Sequence, residues 1–391
     1  MTTISIPDGS LFGLANLPYG VYSVPGQDPR VGVRLGEHVV DLALLLGDDV
    51  FAADNLNPFM AQGYERWVEV RASITERIQG DVPDEAVHDL RDVTLHLPFE
   101  VADYVDFYAS EHHAANLGRL FRPQVAEPLM PNWKHLPVGY HGRSSSIVVS
   151  GTDIVRPSGQ RKGPDDEVPV FGPSVRLDIE AEMGFVVGTG SAMGTSIPAG
   201  DAERHIFGVV LFNDWSARDI QAWEYVPLGP NLGKSFGSTV SAWVVPLLAL
   251  ESAQVPTPAQ EPAVLPYLQM QRPWGLDIEL EVVWNGQVVS RPPYAAMYWS
   301  PAQMLAHQTV NGAPSRTGDL FASGTISGPD TDQRGAFIEL TWGGAEPVEV
   351  NGTPRTFLED GDEIVLLATA PGADGTRIGF GEARGRIVGQ G

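Results

Sequence analysis

The run Leu177-Asp-Ile-Glu-Ala-Glu-Met-Gly-Phe-Val-Val alternates acidic and apolar residues. A strand here carries Asp178, Glu180 and Glu182 on one face and Leu177, Ile179, Ala181 and Met183 on the other. Carboxylates about 6 Å apart on one face repel by roughly 3 kcal/mol at an effective dielectric near 20, so the row needs water or a cation. A solvated strand face meets that need as well as a metal does. The apolar run at 206–212 reads as a buried strand that delivers Asn213 and Asp214 at its end, with a helix expected from about Ser216. In that place Asp214 serves either as an N-cap or as a ligand. On the helix, Arg218, Gln221 and Tyr225 fall at i, i+3 and i+7, so one face offers a guanidinium, an amide and a phenol to a polar anion. Asp106 and His113 are seven residues apart, about two turns if an expected helix over 107–121 reaches back that far. The neighbouring His112 cannot point the same way, and spacing alone does not choose between the two.

Two other patterns invite chemistry and lack its context. Gly229-Pro-Asn-Leu-Gly-Lys-Ser resembles a phosphate-binding loop but has three residues between its glycines where four are needed, and no clear strand leads into it. Gly233-Lys-Ser-Phe-Gly fits a nucleophile elbow around Ser235, with Asp277 and His307 following in the right order. That elbow requires a strand before it and a helix after it, whereas a Pro/Gly loop precedes and a β-run follows.

The elements that must position these groups are short. With 43 glycines and 32 prolines the chain is broken often, and short runs such as 146–150, 177–187, 206–212, 276–284, 337–342 and 363–367 read as strands of packed antiparallel or mixed sheets. Near the amino terminus, Tyr19-Gly-Val-Tyr-Ser-Val and Arg30-Val-Gly-Val-Arg-Leu read as strands, and Trp67, Val70, Ile74 and Ile78 mark a helix within 57–79. Residues 251–266 read as a long loop. The expected architecture is mainly β, with a small unit over 1–97 and a large β-rich unit over 98–391.

Composition narrows the chemistry. A formal charge of −24 repels nucleic acid and anionic lipid, and the absence of cysteine excludes disulfides, a thiol nucleophile and thiolate metal sites. The residues after Met1 lack a signal-like pattern, and the longest apolar runs, 206–212 and 243–250, fall far short of the roughly 20 residues a bilayer requires. A cytoplasmic protein acting on a small molecule, with no nucleic-acid or membrane partner, is expected.

Eight stretches then follow one another along nearly the whole chain. They are Asn16-Leu-Pro-Tyr-Gly-Val, Asp106-Phe-Tyr, Leu129-Met-Pro-Asn-Trp, His135-Leu-Pro-Val-Gly-Tyr-His-Gly-Arg, Asn213-Asp-Trp-Ser-Ala-Arg-Asp-Ile-Gln, Trp223-Glu-Tyr-Val-Pro-Leu-Gly-Pro, Leu232-Gly-Lys-Ser-Phe-Gly and Ala322-Ser-Gly-Thr-Ile-Ser-Gly. In this order they resemble the fumarylacetoacetase family, within a wider group of hydrolases, decarboxylases and hydratases that shares the acidic pattern. The resemblance implies an SH3-like barrel over 1–97, a β-roll or β-sandwich domain over 98–391 carrying the site, and a homodimer. It implies a metal site made of Asp106, Glu180, Glu182, Asp214, Lys234 and Ser238, the four carboxylates as its ligands; four acidic oxygens without a thiolate suit Mg²⁺ or Ca²⁺. It assigns His113 as general base, Glu339 as its orienting carboxylate, and Arg218, Gln221 and Lys234 as the donors that meet developing charge. Its substrate-binding positions fall on Tyr108, Arg122, Tyr140, Gln221, Tyr225 and Thr325. Ser238 stands where members of the family commonly carry Thr. The activity implied is hydrolysis of the carbon–carbon bond of fumarylacetoacetate at the end of tyrosine and phenylalanine catabolism. Another β-diketone or acylpyruvate hydrolase or decarboxylase on the same scaffold, or a non-catalytic divalent-cation-binding β protein, would share the acidic cluster; the latter leaves His113, Arg218 and Lys234 without a task.

Overall fold

The computed structural model describes residues 4, 6–80, 82–163 and 165–390. Part of the amino-terminal reading, at residues 1–3 and 5, lies outside the described residues. The chain is mainly β, as expected. Its central sheet runs, in neighbour order, through Val87–Asp89, His38–Asp41, Arg30–Leu35, Tyr19–Ser23, Trp243–Pro246, Ile206–Asp214, Ala181–Val187, Leu320–Ala322, Tyr104–Phe107 and Gly139–His141. Ser238–Val240 pairs with the far end of Ile206–Asp214 and is flanked in parallel by Ile147–Val149. Hydrogen bonds cross the expected boundary at residue 97, because Tyr19 and Gly20 pair with Val244 and Trp243. A second sheet orders Gln287–Ser290, Glu279–Trp284, Glu363–Pro371, Arg377–Val388 and Ile154–Val155.

Ile206–Asp214 and Ala181–Val187 are buried along their whole length, which explains why neither shows a lasting apolar-polar alternation. The amino-terminal helix does bury Trp67, Val70 and Ile74, but it is confined to Tyr64–Gln79. Gly63, at φ +91°, separates it from the short turn Asn57–Met60, so the expected helix over 57–79 is two pieces. Trp67 packs edge-on against Phe207 of the central sheet at 5.3 Å, joining the two halves through their core. The start of the expected loop at 251–266 is ordered as a 3₁₀ turn, Leu247–Ala253, and a two-residue strand, Gln254–Val255.

Three departures from the expected elements decide where functional groups point. The helix expected over 107–121 starts at Glu111, because Tyr104–Phe107 pairs in parallel with Leu320–Ala322 and Ser110 caps the helix through the His113 N–H. The expected strand over 177–187 is interrupted: Leu177–Asp178 pairs with Ser216–Ala217, while Ala181–Val187 belongs to the central sheet. Residues 337–342, expected as a strand, open with the helical turn Phe337–Leu340, whose first two N–H groups are accepted by the Asp178 carboxylate.

Candidate active site

Strand register gathers the acids. Asp106 lies opposite Tyr140, Asp214 lies opposite Ser238, and Glu182 lies opposite Phe212, two residues before Asp214. Glu180 sits in the interruption just before its strand, where Asp214 N–H donates to its carbonyl. One carboxylate oxygen from each of Asp106, Glu180, Glu182 and Asp214 lies within 4.8 Å of the others, and all four side chains are buried. The solvated-face reading of this acidic row is therefore excluded. Asp178 does not join the cluster: the break after it turns its carboxylate toward Phe337 and Ile338.

The four acids are unequally compensated. Glu180 receives Arg218 Nη1 at 2.8 Å and also the Lys234 ammonium; burial pushes its carboxyl up, and the two cations outweigh this and hold it well below the ordinary range. Asp214 accepts from Lys234 Nζ at 2.8 Å, Tyr140 OH at 3.0 Å and Ser238 Oγ at 3.1 Å, yet burial still raises it. Asp106 and Glu182 are pushed well above the ordinary range by burial and then by their acidic neighbours. Asp106 Oδ1 and Glu182 Oε1 have no hydrogen-bond partner, and among the described residues neither side chain has an ion pair. Ionised oxygens this close repel by about 3 kcal/mol per pair at an effective dielectric near 20. Two orphaned, buried carboxylate oxygens in an all-oxygen donor set fit a hard divalent cation. Lys234 is held protonated, since Asp214 and Glu180 outweigh the effect of its burial, so it balances charge in the cluster and has no lone pair to ligate with.

Beside the cluster, His113 is buried and its Nδ1 lies 2.5 Å from Glu339 Oε2. Glu339 also accepts from Ser327 Oγ at 3.0 Å and Asn116 Nδ2 at 2.9 Å; His113 and these donors keep it below the ordinary carboxyl range despite its burial. With Nδ1 committed to Glu339, Nε2 is the nitrogen left for chemistry. His112 is only half-buried. The His113 ring meets Tyr108 edge-on at 5.1 Å, and Tyr108, Arg122, Arg218, Gln221 and Tyr225 all line one cavity of about 550 Å³. Within it, Arg218 donates Nε to Asp178 at 2.8 Å and Nη1 to Gln221 at 3.1 Å as well as to Glu180, while its buried Nη2 has no partner. None of the four carboxylates lines this cavity; Arg218, bonded to Glu180, joins it to the cluster. The larger clefts, of about 900 Å³ beside Trp243 and about 1050 Å³ beside Arg66, contain no residue that bonds a cluster carboxylate, so size does not select the site.

Two expected substrate contacts stand apart from this cavity. Tyr140 donates to Asp214 and faces a smaller recess with Lys234 and Ser238. Thr325 is buried with an unpartnered Oγ1, next to Gly324, whose N–H donates to Glu182 Oε2 at 2.9 Å. Arg122 spends one amino group on the Pro128 carbonyl, 2.7 Å away, while still lining the cavity. Residue spacing missed Asn116, although it lies three positions beyond His113 on the same helix, and missed Ser327 and Gly324, although both flank Thr325 in a run singled out as a motif.

Gly324 has φ +74°, and a Cβ there would stand 2.2 Å from the Phe107 carbonyl oxygen. Gly324→Ala should cost at least about 1–2 kcal/mol from the left-handed backbone alone, read as a lower melting midpoint. The elbow around Ser235 has no strand before it; turns lead into it and the strand Ser238–Val240 follows, while His307 is bonded to Tyr267. Ser235→Ala should retain turnover within about twofold of the parent, since its absence leaves the cluster, His113 and Arg218 untouched; a complete loss would restore the elbow reading.

Comparison with known proteins places the chain in a family. A family model described as fumarylacetoacetate (FAA) hydrolase C-terminal matches residues 103–388, and one described as fumarylacetoacetase N-terminal matches residues 15–98. Fumarylacetoacetase of Homo sapiens is 46% identical over 415 residues, covering 99% of this chain and 99% of that protein. That of Caenorhabditis elegans is 47% identical over 412 residues, covering 98% of each. In solved structures, a fumarylacetoacetate hydrolase from psychrophilic Exiguobacterium antarcticum shares the fold with a TM-score of 0.57 at 19% identity, over 96% of this chain and all of that one. With both family models matched in order and relatives nearly half identical from end to end, the chain belongs to the fumarylacetoacetase family of hydrolases acting on carbon–carbon bonds.

Proposed function

We propose that the chain hydrolyses 4-fumarylacetoacetate to fumarate and acetoacetate, as the last step of tyrosine and phenylalanine breakdown. The observation that carries the reading is Arg218, which lines the cavity that Tyr108 shares and carries a buried, unpartnered Nη2, beside the carboxylate cluster and the His113–Glu339 pair. Asp106, Glu180, Glu182 and Asp214 would hold a Mg²⁺ or Ca²⁺ ion, whose chemistry when bound is to polarise the diketone oxygens and favour the enolate of the leaving group. His113 Nε2 takes a proton from water as the water oxygen bonds to the ketone carbonyl carbon of the fumaroyl group, and Glu339 supports the imidazolium that forms. Arg218 Nη2 donates to the alkoxide, a role in which one lost donor typically costs about 10²–10³ in rate. Collapse of the alkoxide breaks the carbon–carbon bond, the electron pair leaves with acetoacetate, and the proton on His113 is available to that carbon. Arg122, Gln221, Tyr225 and Tyr108 supply polar contacts to the ends of a dianionic substrate.

The test is loss of diketone absorbance with product analysis for fumarate, in Mg²⁺ or Ca²⁺ and after thorough chelation. Cation-dependent production of fumarate and acetoacetate in equal amounts supports the reading; an intact diketone, or a decarboxylated product, refutes it. Family membership also supports a cytoplasmic homodimer. No described helix is long and apolar enough to cross a membrane, and the exposed side chains of Phe171, Val226 and Leu228 are apolar surface that a second copy could cover. Light scattering that gives one chain per particle would refute the dimer.

A further inference from the structure

We propose that Asp178 is a positioning residue for this reaction: one buried carboxylate that fixes both the oxyanion donor and the support of the general base. The inference rests on the hydrolytic reading above. Asp178 is fully buried and its two oxygens are shared between two functional parts. Oδ2 accepts Arg218 Nε at 2.8 Å and the Ile338 N–H at 3.0 Å, and Oδ1 accepts the Phe337 N–H at 2.7 Å and the Ile179 N–H at 2.7 Å.

The first arm sets the guanidinium. Arg218 is planar, so fixing Nε on Asp178 and Nη1 on Glu180 and Gln221 fixes the direction of Nη2, the one nitrogen without a partner. The second arm sets the base. Phe337 and Ile338 open the turn that carries Glu339, and Glu339 holds His113 Nδ1. Arg218 follows the central-sheet strand that ends at Asp214, and His113 lies on a different helix more than a hundred residues earlier. Asp178 is the side chain common to both, so the spacing between proton acceptor and oxyanion donor passes through its carboxylate.

Asp178→Asn and Asp178→Glu test this. An asparagine presents an N–H₂ to groups that are all donors, so one arm is lost. A glutamate keeps the charge and moves the oxygens outward by one methylene. Each variant should lower kcat by about 10²-fold, the cost typical of a misplaced reacting group, with KM within about threefold. The divalent-cation-induced rise in melting midpoint should be retained. In an Arg218→Ala background the further effect of Asp178→Asn should shrink to the part transmitted through Glu339. Full kcat in Asp178→Glu overturns the proposal, because charge balance alone would then suffice. Strict additivity with Arg218→Ala overturns the guanidinium arm, and failure of both variants to fold assigns Asp178 to scaffolding instead. If the parent enzyme turns over no fumarylacetoacetate, it is the functional reading that fails, not the positioning argument.

Discussion

His113→Ala is expected to lower kcat by about 10²–10⁴, with the diketone still bound, while His112→Ala stays within about twofold of the parent. The difference between adjacent histidines comes from the Ser110 cap, which starts the helix so that residue 113 faces inward onto Glu339 and Tyr108. Glu339→Gln should show a smaller loss in the same parameter, because an amide can accept the Nδ1 proton but cannot support a positive ring. Steady-state kinetics on the diketone decide it, and the reverse ranking of the two histidines would show that the base has been misassigned.

The second large effect is one of opposite signs. Glu182→Gln should melt higher than the parent in chelator and lower than the parent in saturating Mg²⁺ or Ca²⁺. Without a cation, the substitution removes a buried carboxyl whose ionisation is opposed by burial and by its acidic neighbours; with a cation, it removes a ligand. A cation at a hundred times its Kd would add about 2.7 kcal/mol to the parent, so the gap is within reach of calorimetry. Turnover of the variant should fall on the order of 10²-fold or more, the scale of lost charge stabilisation at a reacting carbonyl. A parent whose melting midpoint ignores divalent cations would remove the basis for both statements.

The sequence was most legible where one residue type had one job. The fully apolar 206–212 run reads as a buried strand, and the strand does end at Asp214. Trp67, Val70 and Ile74 at helical spacing are buried as a helix face should be. The acidic row was legible as a place needing water or a cation, although alternation treated Asp178 as the equal of Glu180 and Glu182. Local periodicity cannot see that the strand breaks at residues 179–180, because the break is made by distant partners: Ser216–Ala217 on one side and Phe337 on the other. The same blindness turned residues 337–342 into an expected strand. Their apolar pattern suits either element, and only the Asp178 carboxylate satisfies the N–H groups that a turn leaves open. The substrate-contact assignments came from resemblance, and the structure separates them by geometry: Tyr108, Arg122, Gln221 and Tyr225 line one cavity, while Tyr140 attends to Asp214.

The pairing of Tyr19–Ser23 with Trp243–Pro246 makes the amino-terminal strands a guard on an otherwise open flank. Cut away, they would leave bare backbone groups at Trp243 and Val244 and uncover Phe207 and Val244 from the core they share with Tyr19 and Trp67. A fragment beginning near residue 98 would retain every candidate catalytic side chain and still present a sticky edge to its own copies. Lesions in the first hundred residues should thus deplete the enzyme through self-association without altering its chemistry, and inactivity in such a variant would say nothing about the catalytic groups.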